Sequence, residues 1–381
     1  MKKENLLMTP GPTMVPHRVL AAEARPMIHH RTSEYSEIFA AVNEGLAYVF
    51  QTKAPILTYP AAGSGVMEAA IANFFSAGDS VLAVSIGVFG NRFYKIALAF
   101  GLDADIYDVE WGSAADPDEI IRRLNEKKYK AVLITHNETS TGANNDIKRV
   151  AELMRGRDEL LIVDAVSALG ALEMRQDEWG IDVVITASQK ALMASPGLAF
   201  MSVSDRAWKA YETAKLPKFY WDAGKALDSL RKNPPQNPYT PAVSLIRGLK
   251  ESLDMIKEEG LENIFARHTR LANATRAAVE ALGLECFADK AARSDCITSI
   301  RIPEGIDGEK VKKSMANYGV VAAGGQEDLK GKVVRIGHMG YCSEQDVLIA
   351  IAAFERALAD NGVKVKAGEG VTAAMKVFEG K

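Results

Sequence analysis

Two groups in this 381-residue chain are placed to do chemistry, and each stands where a short apolar run gives way to small residues. Asp164 closes Leu160-Leu161-Ile162-Val163 and opens the small-residue run Ala165 to Gly170. Lys190 follows the strand-like Asp182-Val183-Val184-Ile185-Thr186 through Ala187-Ser188-Gln189, before Pro196-Gly197 turns the chain into a further apolar run, Leu198 to Val203. A lysine at a strand end among small residues can be desolvated, which lowers its pKa until the amine attacks a carbonyl. That is Schiff-base chemistry. A carboxylate at a neighbouring strand's C-terminal end lies where open α/β sheets bind ligands, and it can keep a pyridinium nitrogen protonated, as pyridoxal phosphate requires. Taken singly, the two residues also fit a solvated surface lysine and a helix-capping aspartate, so their surroundings decide.

Those surroundings are strands that feed turns and helices. Ile56 to Tyr59 reads as a strand, followed by Ala62-Gly63-Ser64-Gly65 and a helical face of Met67, Ala70, Ile71, Phe74 and Phe75. Strand, small-residue turn, helix is an anion-binding arrangement, because free N–H groups and the positive dipole end suit a phosphate while glycine allows close approach. The spacing matches neither the P-loop nor GxGxxG, so a plain tight turn fits as well. Ser80 to Ile86 is another strand, and Gly87-Val88-Phe89-Gly90 opens the next helix. Phe89, flanked by glycines, is placed to stack on a planar ring or to pack in the core. Ala131 to Thr135 leads into His136-Asn137-Glu138-Thr139-Ser140-Thr141-Gly142, more hydrogen-bonding side chains than capping needs. Alternation of these strands with helical patterns at 117–127 and 148–154 predicts an α/β fold with a mainly parallel sheet covered on both faces.

Composition excludes several classes. Hydrophobic residues at 48%, charged residues at 25% and a net charge of -3 suit a soluble globular protein and offer no lure for nucleic acid. Three cysteines without CxxC spacing suggest neither a disulfide framework nor zinc, and adjacent His29 and His30 make a poor metal pair. With no secretory leader and no membrane-length apolar run, a cytoplasmic location is expected. The expected organisation is an N-terminal arm over 1–20, extended around Pro10-Gly11-Pro12 and suited to crossing a partner subunit. A large domain over 21–245, a small C-terminal α+β domain over 246–365 and a partly ordered tail over 366–381, in which Val371 to Phe378 could form a final helical turn, follow. Ser33 to Phe50, capped at Ser33, and a helix from Leu245 are predicted; Lys215 to Phe219 and Arg231 to Pro241 read as long loops.

With these pieces in order the chain resembles the class V, fold-type I pyridoxal-phosphate aminotransferases, and within them the serine:pyruvate and alanine:glyoxylate group. The resemblance covers nearly the whole chain. It rests on Thr9-Pro10-Gly11-Pro12-Thr13, Ala62-Gly63-Ser64-Gly65, Gly87-Val88-Phe89-Gly90, the 136–142 run, Asp164-Ala165-Val166, Ser188-Gln189-Lys190 and Lys332-Val333-Val334-Arg335-Ile336-Gly337. It implies a seven-stranded, mainly parallel sheet between helices and a homodimer with shared sites. It further implies that Lys190 forms the Schiff base with pyridoxal 5'-phosphate and moves the proton between substrate and cofactor, while Asp164 holds the pyridinium proton. Gly63, Ser64, Gly65 and Gln189 would bind the phosphate, Phe89 and Val166 would flank the ring, and Thr139 would sit near its hydroxyl. Arg335, with Gly11 lining the pocket, would clamp the substrate carboxylate, a bidentate match that lysine cannot make. Thr240, or else Tyr239, would reach the partner's phosphate. Relatives often carry Trp at Phe89 and Ser or Thr at Ala62, which weakens ring stacking and one phosphate contact.

The implied reaction is ping-pong transamination between a small amino acid of the alanine or serine type and a small 2-oxo acid such as glyoxylate or pyruvate. Three alternatives stand beside it. A desulfurase needs a nucleophilic cysteine upstream of Arg335, whereas Cys342 lies downstream and Cys286 and Cys296 look like core positions. Aminoethylphosphonate or phosphoserine transamination needs further cations, which His29, His30 and Arg31 could supply. The sequence also looks like chains described as a soluble hydrogenase subunit, a non-catalytic role that an intact Asp164 and Lys190 argue against.

Overall fold

The computed structural model describes residues 5–380, so the first four residues of the arm and Lys381 lie outside it. In chain order its strands are β1 (Leu6–Met8), β2 (Ile56–Tyr59), β3 (Ser80–Ser85), β4 (Asp103–Asp108), β5 (Ala131–Thr135), β6 (Asn137–Glu138), β7 (Ala143–Asn144), β8 (Leu160–Asp164), β9 (Val183–Ala187), β10 (Ala199–Val203), β11 (Ile297–Arg301), β12 (Val320–Gly324) and β13 (Val333–Gly337). Seven of them form one sheet in the order β2-β10-β9-β8-β5-β3-β4. All pairings are parallel except those of β10, which runs antiparallel to both neighbours.

Successive side chains of a strand point to opposite faces, and here both faces are apolar. Leu82, Val84, Val132 and Ile134 join one core with the helix Ser33–Phe50, whereas Val81, Ala83, Ala131 and Leu133 join another with the helix Gly63–Phe74. The sheet is thus a buried α/β layer, and the turns that follow β2, β3, β5, β8 and β9 carry the candidate chemistry. A second sheet, β1-β12-β13-β11, has its own core, built with the helices Leu261–Ala281, Gly308–Asn317, Glu344–Asp360 and Glu369–Phe378. Among the described residues no helix is long and apolar enough to cross a membrane.

The structure adds to or departs from the sequence reading in several places. The arm begins as a strand of the second sheet: Leu6, Leu7 and Met8 pair in parallel with Val320, Val321 and Ala322, and Met8 is buried. An unpredicted helix, His17–Glu23, follows the arm. The helix over 33–50 is capped by Thr32, whose hydroxyl accepts from Tyr35 N, and not by Ser33. The tail forms the helix Glu369–Phe378, fixed because the buried Glu355 carboxylate accepts hydrogen bonds from Gly368 N, Gly370 N and Val371 N at 2.8, 2.7 and 3.1 Å.

Candidate active site

Lys190 sits just past β9, in a segment held from both sides. Thr13 N donates to Gln189 O at 3.1 Å and Thr13 Oγ1 to Lys190 O at 2.9 Å, so the arm is tied to the lysine's own backbone. Nζ donates to Pro10 O at 2.7 Å. Gly11, at φ +134°, packs over the amine, and a Cβ there would lie 2.4 Å from Nζ. Only glycine fits. Covered in this way, the ammonium is lowered from 10.5 to about 8, mainly by burial, with the Arg335 and Arg92 charges acting in the same direction.

Asp164 ends β8, the neighbour of β9, and is 3% exposed. Its Oδ1 accepts from Val166 N at 2.9 Å, which bends the chain away from the strand. Burial raises the carboxyl to about 6 against the pull of that N–H and of the Lys190 charge. A lysine pushed down and a carboxyl pushed up, on adjacent strands, meet the pKa pattern of a reactive site. Val166 also meets the turn after β2: a Cβ on Gly63 would come within 2.8 Å of Val166 Cγ2.

Two helices begin at this edge, and their ends are treated in opposite ways. At Gly63–Phe74 the N-cap Ala62 offers no side chain and the first turn holds no acid. Gly65 N bonds back to Ala62 O at 3.0 Å, leaving Gly63 N and Ser64 N without partners among the described residues. At Val88–Ala99 the donors are spent internally. Val88 N donates to Ser140 Oγ at 3.0 Å, and Phe89 N and Gly90 N donate to Glu138 Oε2 at 2.9 and 3.1 Å. Glu138 is fully buried, and burial raises its carboxyl while those donors and Ser140 hold it down. Only glycine fits at 87, where a Cβ would strike Ser140 Oγ at 2.5 Å. Glu138 thereby fixes the turn that carries Phe89.

Arg335 enters from the second sheet, on β13. It is 6% exposed, with Nε donating to Gly324 O at 2.7 Å and Nη1 to Thr139 O at 2.6 Å and Gln326 Oε1 at 3.3 Å. No carboxylate among the described residues pairs with it, and its Nη2 edge carries no bond. Burial lowers the guanidinium to about 10, opposed by the field of Glu138. A buried guanidinium with one edge held by carbonyls and another edge open suits a carboxylate ligand. Thr139, buried beside it, leaves its hydroxyl unbonded, and Gln189 Oε1 is likewise buried without a partner.

The structure therefore brings together Lys190, Asp164, Val166, the 63–65 turn, Phe89, Thr139, Gln189, Gly11 and Arg335. It does not bring Thr240 to them. Thr240 is exposed and makes no hydrogen bond to any of these residues in its own protomer. Its loop is nonetheless stapled: Arg31 Nη1 donates to Gln236 Oε1 and Asn237 O at 2.6 and 2.9 Å, and Tyr35 donates to Asn237 Oδ1 at 2.5 Å. Tyr239 is engaged within its own protomer, donating to Phe219 O at 2.9 Å and stacking on Tyr220 with ring centroids 5.2 Å apart.

Sequence reasoning assigned no role to Pro10, Thr13, Glu138 or Arg92. Arg92 lies three residues past Phe89 on the same helix, the spacing that puts two side chains on one face and the only signal that could have raised it. Among the described residues no group of three or more His, Cys, Asp or Glu is arranged to hold a metal.

Comparison with known proteins gives a consistent picture. The family model described as aminotransferase class-V matches residues 6–349. The chain is 43% identical to a Synechococcus protein named soluble hydrogenase, small subunit, over 99% of each chain. It is 40% identical to the serine–glyoxylate aminotransferase of Methylorubrum extorquens, over 97% of this chain and 95% of that one. The solved structure of ureidoglycine-glyoxylate aminotransferase from Bacillus subtilis superposes with a TM-score of 0.95 at 33% identity, covering 100% of this chain and 99% of the other.

Proposed function

The chain belongs to the class V aminotransferase family, enzymes that work with pyridoxal 5'-phosphate, and on that premise we propose that it moves the amino group of a small amino acid of the serine or alanine type to glyoxylate or pyruvate. The residues fit that cofactor: the open helix start at 63–65, with Gly63 N and Ser64 N free to donate, and the Gln189 side-chain amide, free of hydrogen bonds among the described residues, supply donors for its phosphate. Bound there, the cofactor supplies the sink for the electron pair left when the substrate's Cα proton departs. Lys190 Nζ would hold the cofactor and, when free, would carry that proton between the substrate Cα and the cofactor's C4' carbon. Asp164 would keep the ring nitrogen protonated; Phe89 and Val166 would flank the ring, and Thr139 would bind near its hydroxyl. Gly63, Ser64, Gly65 and Gln189 hold the phosphate, and Arg335 beside Gly11 holds the substrate carboxylate. Because donor and acceptor both present a carboxylate to Arg335, one site serves both halves of a ping-pong cycle.

The observation that carries this reading is Arg335, buried, without a carboxylate partner and with one edge open. Glyoxylate as acceptor is supported by the names of both aminotransferase relatives described above. A homodimer completed by Thr240 is supported by the stapled loop and by the exposed apolar residues Met27, Phe219 and Tyr220, at 70%, 71% and 42% exposure. Three buried free cysteines suit a reducing cytoplasm. Incubation with a panel of amino donors and 2-oxo acceptors, followed by detection of the new oxo acid, tests the assignment. Turnover is expected with serine or alanine and glyoxylate, and turnover confined to phosphorylated or phosphonate donors would overturn it. The name of the Synechococcus relative favours a second reading, a non-catalytic subunit partnering a hydrogenase. That reading requires no turnover with any pair.

A further inference from the structure

Arg92 is the cation of the site that the roles above leave unused. Its guanidinium carbon lies 4.6 Å above the centre of the Phe89 ring, and Nη1 donates to Ser64 Oγ at 3.0 Å, so one side chain bridges the ring-flanking residue and the open helix start. It is half-buried, and no carboxylate among the described residues forms an ion pair with it. The other arginine of the site, Arg335, comes from a different sheet and is held by Thr139 O and Gly324 O.

The charge balance of the turn shows what Arg92 can do. A phosphate monoester carries close to two negative charges at neutral pH. The groups assigned to it, two backbone N–H, the Ser64 hydroxyl and the Gln189 amide, are all neutral, and the helix end contributes about half a charge. Glu138, the nearby buried carboxylate, is bonded to the other helix start. The field of Arg92 also reaches Lys190 and Asp164, lowering both.

We propose that Arg92 is a phosphate-binding residue of the cofactor site, supplying, through Ser64 and the 63–65 turn, the positive charge that the neutral donors lack. A guanidinium bonded to a hydroxyl keeps four further N–H donors for phosphate oxygens. Its packing on Phe89 fixes the side chain in advance, so that little rotamer freedom is lost on binding. Cofactor recognition then comes from both helices: one gives its open N-terminus, the other gives Arg92 from its first turns. This inference rests on the reading of 63–65 as the phosphate turn.

Equilibrium binding to apoenzyme, followed by absorbance, tests it by comparing pyridoxal 5'-phosphate with pyridoxal, which lacks the phosphate. In Arg92→Met the phosphorylated ligand should bind roughly 10- to 100-fold more weakly, the range for losing a hydrogen bond to a charged group, while pyridoxal binds as before. Arg92→Lys, which retains the charge, should recover part of the loss, and it is also the variant to use should Arg92→Met not fold. Equal weakening of both ligands in Arg92→Met, or no recovery in Arg92→Lys, would mean that Arg92 acts only by packing on Phe89, and the proposal would be overturned. Ser64→Ala separates this failure from failure of the underlying reading. If Ser64→Ala loses preference for the phosphorylated ligand and Arg92→Met does not, Arg92 alone is misassigned; if neither does, the phosphate turn itself is misplaced.

Discussion

The helices Gly63–Phe74 and Val88–Ala99 start side by side at the same edge of the sheet, and the contrast between them organises the site. Both follow a strand of that sheet, and Arg92 of the second helix bonds Ser64 in the first turn of the other. One end is filled by the chain's own acid, Glu138, with Ser140; the other keeps Gly63 N and Ser64 N free. A buried helix end without partners is costly to fold, so an end left open in an otherwise saturated region is a place reserved for a ligand. The filled end has a different task. It holds the backbone of Phe89 in place, so that the side chain proposed to flank the cofactor ring is positioned by Glu138 and Ser140.

Emptying the filled end should have the largest effect. Glu138→Ala strands the buried donors Phe89 N, Gly90 N and Ser140 N and removes a negative field from Arg335, so it should destabilise the protein by about 3 kcal/mol or more. Urea unfolding of the apoprotein measures this, and Glu138→Gln, which keeps an acceptor, should lose less. A change below about 0.5 kcal/mol, the range of ordinary surface substitutions, would show that the two helix ends do not differ as described.

Closing the open end comes next in size. Gly63→Ala drives a methyl to within 2.8 Å of Val166 Cγ2, which costs about 1–3 kcal/mol if Val166 shifts. On the proposed site the loss should fall mainly on pyridoxal-phosphate affinity, read by titration of apoenzyme, because Val166 is proposed to flank the ring and the turn to hold the phosphate. Normal affinity in a folded Gly63→Ala protein would remove the turn from the site.

A third effect is in the pH dependence of apoprotein stability, where the two ionisable residues act in separate windows. Lys190 falls from 10.5 to about 8, so between those values the unfolded chain holds the extra proton and stability rises with pH. Asp164 rises from 3.8 to about 6, so between those values the folded chain holds the extra proton and stability falls as pH rises. Unfolding curves across pH should lose the upper slope in Lys190→Met and the lower slope in Asp164→Asn. Unchanged slopes in both variants would mean that neither group is buried as described.

What the sequence revealed follows the same division between local and distant causes. Asp164 and Lys190 were legible because a strand, a charged residue and a small-residue turn are consecutive in the chain. The 63–65 turn was legible for the same reason. Glu138 was visible only as part of a polar run, because its hydrogen bonds go to residues 48 and 49 positions away. Arg92 had only its spacing from Phe89, since Ser64 lies 28 positions off. The edge strand β4, Asp-Ala-Asp-Ile-Tyr-Asp, escaped notice because an edge tolerates the charges that a central strand would not. The tail helix was underrated because the carboxylate that anchors it, Glu355, belongs to another element. Arg335 was recognised through the family resemblance, and its open edge became apparent only with Gly324, Gln326 and Thr139 around it.

The most direct test of the site as a whole is to load the protein with pyridoxal 5'-phosphate, reduce it with borohydride and map the modified peptide. The expected result is one cofactor per chain fixed to Lys190, with no labelling in Lys190→Ala. Labelling of a different lysine, or none under conditions that saturate the protein, would contradict the assignment of Lys190 and of the site built around it.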